Sequence, residues 1–315
     1  MEQRPYYTGT KKLLVALSIL LLSISLYPLS PSSQLRPEIH ARQVLEAYRS
    51  SYPDRVEAVT WQNDDWTIQV RGELFYWAKG RLLPEEIRDK WQDYKPYVFY
   101  LYPDEPPDPK SYTQERIAEL QRIGSAEHQM QGPDHHNGFR SALYGGVRRG
   151  EIEQQIVQTR FLGKSISIHG MIQNQVKRID ERIRALAQSD QEVAQFIKNI
   201  GTIGGYNWRE IRGTSRISMH SFGLAIDIQP RKLGGKAIYW QWEQERNSRW
   251  MLVSQNNRWS PPEKVIQIFE DEGFVWGGKW DLYDHMHFEY RPELHEISAL
   301  YGIFATLQSY GIGGD

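Results

Sequence analysis

The chain has 315 residues, with 38 basic and 39 acidic side chains and a formal net charge of -1. This balance argues against a broad basic surface, so we expect no nucleic-acid partner. The sequence contains no cysteine, which excludes a disulfide scaffold, a cysteine nucleophile and thiolate metal ligands.

The first 30 residues are typical of an export segment. A basic stretch precedes an uncharged run from Leu13 to Leu26, and no charge follows until Arg36. This is the pattern of a secretory signal peptide, although no clear small-residue cleavage site follows it. Residues 1–30 are therefore predicted to be a signal peptide or an N-terminal membrane anchor acting through residues 13–30. In both cases the rest of the chain is expected in the periplasm or on the extracellular face of the cytoplasmic membrane.

Residues 36–150 are predicted to form an N-terminal α+β region of unknown type and function. Two strand-like runs, 56–61 and 66–70, flank a turn signal of one asparagine and two aspartates. A short helix is expected at 83–94 and a strand at 97–102. The proline-rich stretch 103–110 is expected to be an extended connection, because proline interrupts both helices and sheets.

From about residue 155 the hydrophobic pattern becomes helical, with apolar residues three and four positions apart. Helices are expected at 172–186, 193–200 and 260–273. Gly201 is the expected C-cap of the second helix, and Ser260 the expected N-cap of the third. Strand candidates lie at 224–228 and 286–290. Because strands and helices do not alternate strictly, the α+β class is predicted.

The stretch SMHSFGLAIDI, residues 218–228, places one histidine and one aspartate in otherwise apolar surroundings. On a strand, alternate apolar residues would face the core and Asp227 would face the other way. Gly223 permits a tight turn before the strand, so that His220 can reach the face that Asp227 uses. The alternative is an edge strand with a solvating aspartate and a structural histidine, and these residues alone do not decide.

A second polar cluster lies in WGGKWDLYDHMHFEY, residues 276–290. On a strand, His285, His287 and Glu289 would share one face. Imidazole nitrogens and carboxylates are the ligands that suit Zn²⁺ when no thiolate is present. Two histidines and Asp227 would fill three positions and leave the fourth for water, as in catalytic zinc sites. Alternation does not decide between His285 and His287 as the ligand, nor between Asp284 and Glu289 as the base.

These two stretches resemble the motifs of the VanY-type murein peptidases, the zinc D-alanyl-D-alanine carboxypeptidases and L-alanyl-D-glutamate endopeptidases. The first family motif, S-x-H-x-x-G-x-A-x-D, is matched by Ser218, His220, Gly223, Ala225 and Asp227. The second, a carboxylate three residues before a histidine, is matched by Asp284 and His287. The resemblance implies a zinc peptidase domain over residues 155–293, with a small antiparallel sheet and flanking helices, followed by a C-terminal tail at 294–315.

The resemblance also implies roles for individual residues. It places Zn²⁺ on His220, Asp227 and His287, with Asp284 as the general base. Around these ligands, supporting positions are expected for Ser218, His285 and Glu289. Arg209 is implied as the positive group that steadies the scissile carbonyl or the substrate carboxylate. Arg212 and Arg216 compete for that role.

The resulting hypothesis is an exported zinc peptidase that acts on peptidoglycan stem peptides. The motifs do not say whether it is of the D,D-carboxypeptidase or the L-Ala-D-Glu endopeptidase type, and they do not address the oligomeric state. One alternative is a non-catalytic zinc module that binds the cell wall or another protein. Another is that the N-terminal region carries the main role and the peptidase domain localises it.

Overall fold

The computed structural model of the chain describes residues 37–130, 132–209 and 217–309. The helices in this part of the chain are α1 (Pro37–Ser51), α2 (Gln114–Ile123), α3 (Ala126–Met130), α4 (Gly138–Tyr144), α5 (Arg149–Glu153), α6 (Gln173–Leu186), α7 (Gln191–Asn199), α8 (Trp240–Gln244), α9 (Glu263–Asp271) and α10 (Pro292–Ser309). The strands are β1 (Val56–Gln62), β2 (Asp65–Val70), β3 (Glu73–Tyr76), β4 (Ile156–Phe161), β5 (Lys164–His169), β6 (Ile200–Gly204), β7 (Ala225–Pro230), β8 (Phe274–Trp276) and β9 (His287–Tyr290).

These strands form three sheets, with the orders β1-β2-β3, β4-β5 and β6-β7-β9-β8. Every neighbouring pair is antiparallel. The predicted α+β class, with a small antiparallel sheet and flanking helices, is therefore confirmed.

The first sheet begins with a hairpin whose turn is set by Asn63 and Asp64. Both have positive φ, 50° and 60°, which a two-residue turn of the I′ type requires and which asparagine and aspartate tolerate better than other residues with a side chain. The predicted strands at 56–61 and 66–70 are confirmed as β1 and β2. The helix expected at 83–94 is a 3₁₀ helix, Glu85–Asp93.

The strand expected at 97–102 is wrong. Tyr97 and Phe99 are buried on alternate positions, as a strand pattern requires, but the backbone finds partners outside any ladder. The Tyr97 N–H donates to the carbonyl of Gly80, and the Tyr102 N–H donates to the hydroxyl of Ser298. The alternating burial therefore comes from an extended segment that packs against the core and pairs with none of the described strands.

The four-stranded sheet carries both polar motifs. β7 lies between β6 and β9, and its residues Ile226 and Ile228 are fully buried. On the same core, Phe288 of β9 stacks on Phe269 of α9, with ring centroids 4.0 Å apart. One face of the sheet is thus covered by helices, which leaves the opposite face of β7 and β9 for polar side chains.

Two details of the helix boundaries differ from the prediction. Gly201 lies in β6, and the C-cap of α7 is the extended Ile200. A Cβ at position 201 would come within 3.1 Å of the Arg231 backbone. Helix α9 begins at Glu263 after an extended Pro262, so Ser260 is not its N-cap. The helix ends before Gly273, whose φ of 85° is left-handed, as expected.

The described residues fall within one compact unit. Helix α1 packs on α10, so residues from both ends of the described chain meet. The segment predicted as a C-terminal tail begins inside α10, where Leu294 and Ile297 are buried. The boundaries of 36–150 and 155–293 stay predictions from the sequence.

Of the helices in residues 37–130, 132–209 and 217–309, none combines the length and apolar character needed to cross a bilayer. The predicted signal peptide or anchor at 1–30 lies outside the described residues.

Candidate metal centre

The chain enters β7 through a tight turn that helps to form the site. Ser218 caps a 3₁₀ helix, Met219–Phe222, and its hydroxyl accepts the His220 N–H at 3.3 Å. Gly223 follows with a φ of 69°, and a Cβ there would come within 2.6 Å of Ile156 and 2.7 Å of the His169 backbone nitrogen. Only glycine fits this turn, and the turn places the buried His220 beside β7.

Three side chains converge where β7 pairs with β9. Asp227 lies directly opposite His287 in the ladder. The Oδ1 atom of Asp227 is 3.0 Å from His220 Nε2 and 2.9 Å from His287 Nδ1. The two ring nitrogens are 3.2 Å apart. These three residues are the predicted metal ligands, and their arrangement could hold a metal ion.

The outer nitrogen of each imidazole has its own partner. His220 Nδ1 is 2.7 Å from the carbonyl oxygen of Gly205, which can only accept, so Nδ1 carries a proton. His287 Nε2 is 3.2 Å from Glu289 Oε2, again an acceptor when ionised. Such outer partners fix the tautomer of metal-binding histidines. They leave His220 Nε2 and His287 Nδ1 to face Asp227.

The charges of this cluster favour a cation. Burial lowers the pKa of His287, but hydrogen bonds with Asp227 and Glu289 outweigh it and raise the pKa to about 10. Burial raises the pKa of Asp227, yet its hydrogen bonds to His220 and His287 bring it well below the usual range. Without a cation, the cluster therefore holds a proton between two carboxylates. A metal ion could take that place, since nitrogen and carboxylate lone pairs already converge there.

Asp284 lies beside this cluster. Its Oδ1 is buried and has no hydrogen-bond partner in the described part of the chain. Burial raises its pKa to about 7, the negative charge of Asp227 adds to this, and the positive charges of His287 and Arg209 oppose it. A carboxylate whose pKa lies near neutrality is suited to accept and release a proton.

The structure places Arg209 at the edge of the site. The residue is exposed, and its charge reaches Asp284. Its backbone is fixed by Ser221, whose hydroxyl accepts from the Arg209 N–H at 2.8 Å and donates to the Arg209 carbonyl at 2.6 Å. The competing Arg212 and Arg216 lie outside the described residues.

His285 does not share a face with His287 and Glu289, contrary to the expectation from alternation. Residues 285 and 286 form a turn, and β9 begins only at His287. The ring of His285 packs edge-on against Trp276, with centroids 4.9 Å apart. It borders a cavity of about 990 Å³ whose lining does not include the three ligand candidates. Between the two histidines that alternation left open, the convergent one is His287.

Several residues around the site were missed from the sequence. Trp280 lies against the His287 ring, with centroids 5.5 Å apart, and its indole N–H donates to Tyr100 at 2.8 Å. Gly205 contributes a backbone carbonyl, for which no side-chain signal exists. Arg291 donates through Nη1 to Glu289 Oε1 at 3.3 Å. It follows Glu289 by two positions, a spacing that places both side chains on one face of an extended chain, and this spacing is the sequence signal that could have indicated the contact.

Comparisons with known proteins agree with the motifs. Residues 212–290 match a family described as D-alanyl-D-alanine carboxypeptidase, and residues 44–99 match a domain of unknown function (DUF8518). Peptidoglycan L-alanyl-D-glutamate endopeptidase CwlK of Bacillus subtilis (strain 168) is 33% identical over 115 residues. That stretch is 36% of this chain and 60% of the Bacillus protein. No solved structure matches the chain.

Proposed function

We propose that this chain, whose resemblance to the VanY-type murein peptidases is confirmed over residues 212–290, is a zinc-dependent peptidase of peptidoglycan stem peptides. The observation that carries the proposal is the convergence of His220, Asp227 and His287 beside a buried carboxylate, Asp284. Two histidines, one carboxylate and an adjacent carboxylate base form a donor set suited to a catalytic zinc.

The fit to zinc rests on the donor atoms themselves. His220 Nε2, His287 Nδ1 and Asp227 Oδ1 lie within 3.2 Å of one another, closer than three lone-pair donors tolerate without a proton or a cation between them. When bound, zinc would supply Lewis acidity toward the scissile carbonyl and toward a water molecule.

The remaining steps belong to side chains of this chain. Asp284, with its free Oδ1, accepts the proton of the attacking water and returns it to the leaving amine. Arg209, exposed at the rim, offsets negative charge on the substrate. Trp280 covers the His287 ring and excludes water from that side of the ligand.

Two bond specificities fall within this proposal, a carboxypeptidase acting on D-Ala-D-Ala and an endopeptidase acting on L-Ala-D-Glu. The matched family is described as a D-alanyl-D-alanine carboxypeptidase, and the Bacillus relative is named an L-alanyl-D-glutamate endopeptidase. Mass spectrometry of pentapeptide muropeptides digested with the full chain distinguishes them, because one activity releases D-alanine and the other separates L-alanine from the rest of the stem.

The same experiment tests the proposal as a whole. We expect hydrolysis that a chelator abolishes and added zinc restores. Zinc binding without hydrolysis of any stem peptide would favour a non-catalytic cell-wall or protein-binding module. Because peptidoglycan lies outside the cytoplasm, the proposal also includes export through residues 1–30.

A further inference from the structure

A chain of buried hydrogen bonds leads away from the candidate metal centre. It starts at His287, whose Nε2 faces Glu289 Oε2 at 3.2 Å. The other oxygen of Glu289 accepts from Arg291 Nη1 at 3.3 Å. Arg291 also donates through Nε to Glu293 Oε1, and Glu293 Oε2 accepts from the Tyr52 hydroxyl at 2.9 Å.

Each carboxylate in this chain uses its two oxygens for two different partners. Glu289 is therefore held between His287 and Arg291, and it cannot rotate without breaking one of these contacts. Glu293 is held in the same way between Arg291 and Tyr52. Its side chain is fully buried, and those of Glu289 and Arg291 are 12% and 14% exposed. Such contacts are strong because little water competes for the charges.

The backbone explains why these residues line up. His287, Glu289 and Arg291 follow the period of two that places side chains on one face of an extended chain. Glu293 lies in the first turn of α10, where a negative charge is favoured by the helix dipole. Tyr52 directly follows α1, so the last contact comes from the opposite end of the described chain.

The two ends of this chain of contacts lie in differently matched parts of the sequence. His287 and Glu289 lie within the peptidase match, 212–290, whereas Tyr52 lies within the match to the domain of unknown function, 44–99. We propose that Tyr52, Glu293 and Arg291 are positioning residues that hold Glu289 against His287 and so commit His287 Nδ1 to the metal. The N-terminal region then completes the metal centre of the peptidase. This inference rests on the proposed function only in assuming that the site binds zinc.

The chain offers a matched pair of variants. Tyr52→Phe removes the hydroxyl that holds Glu293. Tyr48→Phe removes a hydroxyl from an equally buried tyrosine on α1, which stacks on Tyr52 with centroids 5.9 Å apart. In the described residues no hydrogen bond joins Tyr48 to Glu293, so this variant is the control. Glu289→Gln serves as the reference for direct loss of the carboxylate charge next to His287.

Zinc affinity is measured by competition with a chelator, and ligand geometry by the visible absorption of the cobalt-substituted full chain. We expect Glu289→Gln to weaken zinc binding about 10- to 100-fold, the usual effect of losing a partner of a metal-bound histidine. Tyr52→Phe should weaken it about 3- to 10-fold, because it acts through two intervening residues. Tyr48→Phe should leave both the affinity and the cobalt spectrum unchanged.

The melting temperature of metal-free protein separates positioning from stability. A cobalt spectrum altered in Tyr52→Phe but not in Tyr48→Phe supports the proposal, whatever the melting temperatures. Equal zinc affinities and spectra in the two variants overturn it, even if Tyr52→Phe melts lower. Affinities in the expected order without muropeptide hydrolysis by the wild type would refute the proposed function alone. A wild type that binds no zinc would refute both.

Discussion

Substitution of Asp284 by asparagine keeps the size of the side chain and removes its charge and basicity. Its position beside the three ligand candidates and its free Oδ1 indicate a proton acceptor. General-base assistance contributes about 10²- to 10⁴-fold to a rate, or about 3 to 5 kcal/mol of barrier. We expect Asp284→Asn to retain zinc and to lose hydrolysis by a factor in this range.

The same substitution is expected to lower activity but to raise the stability of the metal-free protein above neutral pH. Burial raises the pKa of Asp284 to about 7 from the ordinary 3.8. An unfolded chain loses this proton near pH 4 and the folded, metal-free protein near pH 7, so the folded state loses stability as pH rises between these values. The full difference corresponds to at most about 4 kcal/mol. Metal-free Asp284→Asn, which does not titrate, should therefore be more stable than the wild type at pH 8 and similar to it at pH 4.

Three measurements on one preparation test this reasoning: turnover on muropeptides, zinc content, and urea unfolding of the metal-free protein at both pH values. In the wild type, turnover should also fall as pH drops through the pKa of Asp284. If Asp284 only orients the turn before β9, the variant loses stability at both pH values and keeps turnover within a few-fold. Undiminished turnover with intact zinc would rule out Asp284 as the base.

Three further predictions concern the ligands, the turn and the N-terminus. Each of three single substitutions should abolish zinc retention measured by elemental analysis: His220→Ala, Asp227→Ala and His287→Ala. Full occupancy in the last of these would refute the assignment of His287 as a ligand. Gly223→Ala should lower the free energy of unfolding by more than about 1 kcal/mol, because a side chain is strained at its positive φ and would clash with Ile156 and the His169 backbone. Chemical denaturation measures this change. An unchanged denaturation midpoint would contradict the turn geometry. If residues 1–30 anchor the protein, it should stay with membranes after a high-salt wash, whereas an N-terminus near residue 30 on soluble protein would show a cleaved signal.

The part of the site that could be predicted depends on local pattern. His220 and Asp227 are close in sequence, and their relation follows from one turn and one strand, both specified by nearby residues. Glycine at 223 and alternating apolar residues carry that information without reference to the rest of the chain. The α+β class followed from equally local periodicities.

The wrong strand prediction involves backbone partners that are distant in sequence. The segment 97–102 has the alternation of a strand, but its backbone bonds go to Gly80 and Ser298. The alternation of apolar and polar residues also predicted that β9 begins earlier in the sequence than it does. The Asp284 N–H donates to the Gly277 carbonyl, and the His287 N–H donates to the Asp284 carbonyl, which closes a turn around His285. Nothing in the local sequence distinguishes that turn from two more strand residues.

The contact between Tyr52 and Glu293 belongs to the same class. It joins residues 241 positions apart, and a tyrosine after one helix and a glutamate at the start of another carry no mutual signal. Burial supplies the reason for the pairing once the fold is known, since a buried carboxylate requires partners for both oxygens. The sequence therefore indicates the metal ligands, but not the distant residues that hold those ligands in position.

The register of β7 against β9 connects the core to the metal centre. Asp227 faces His287 only because Ile226 pairs with Phe288 and Ala225 with Glu289. A slip of one residue would move each of these side chains to the other face, placing Asp227 in the apolar core and Ile226 at the site. The fully buried Leu224, Ile226 and Ile228 oppose such a slip, since each would lose its burial. The residues that stabilise the sheet are thus the same residues that bring the three ligands together.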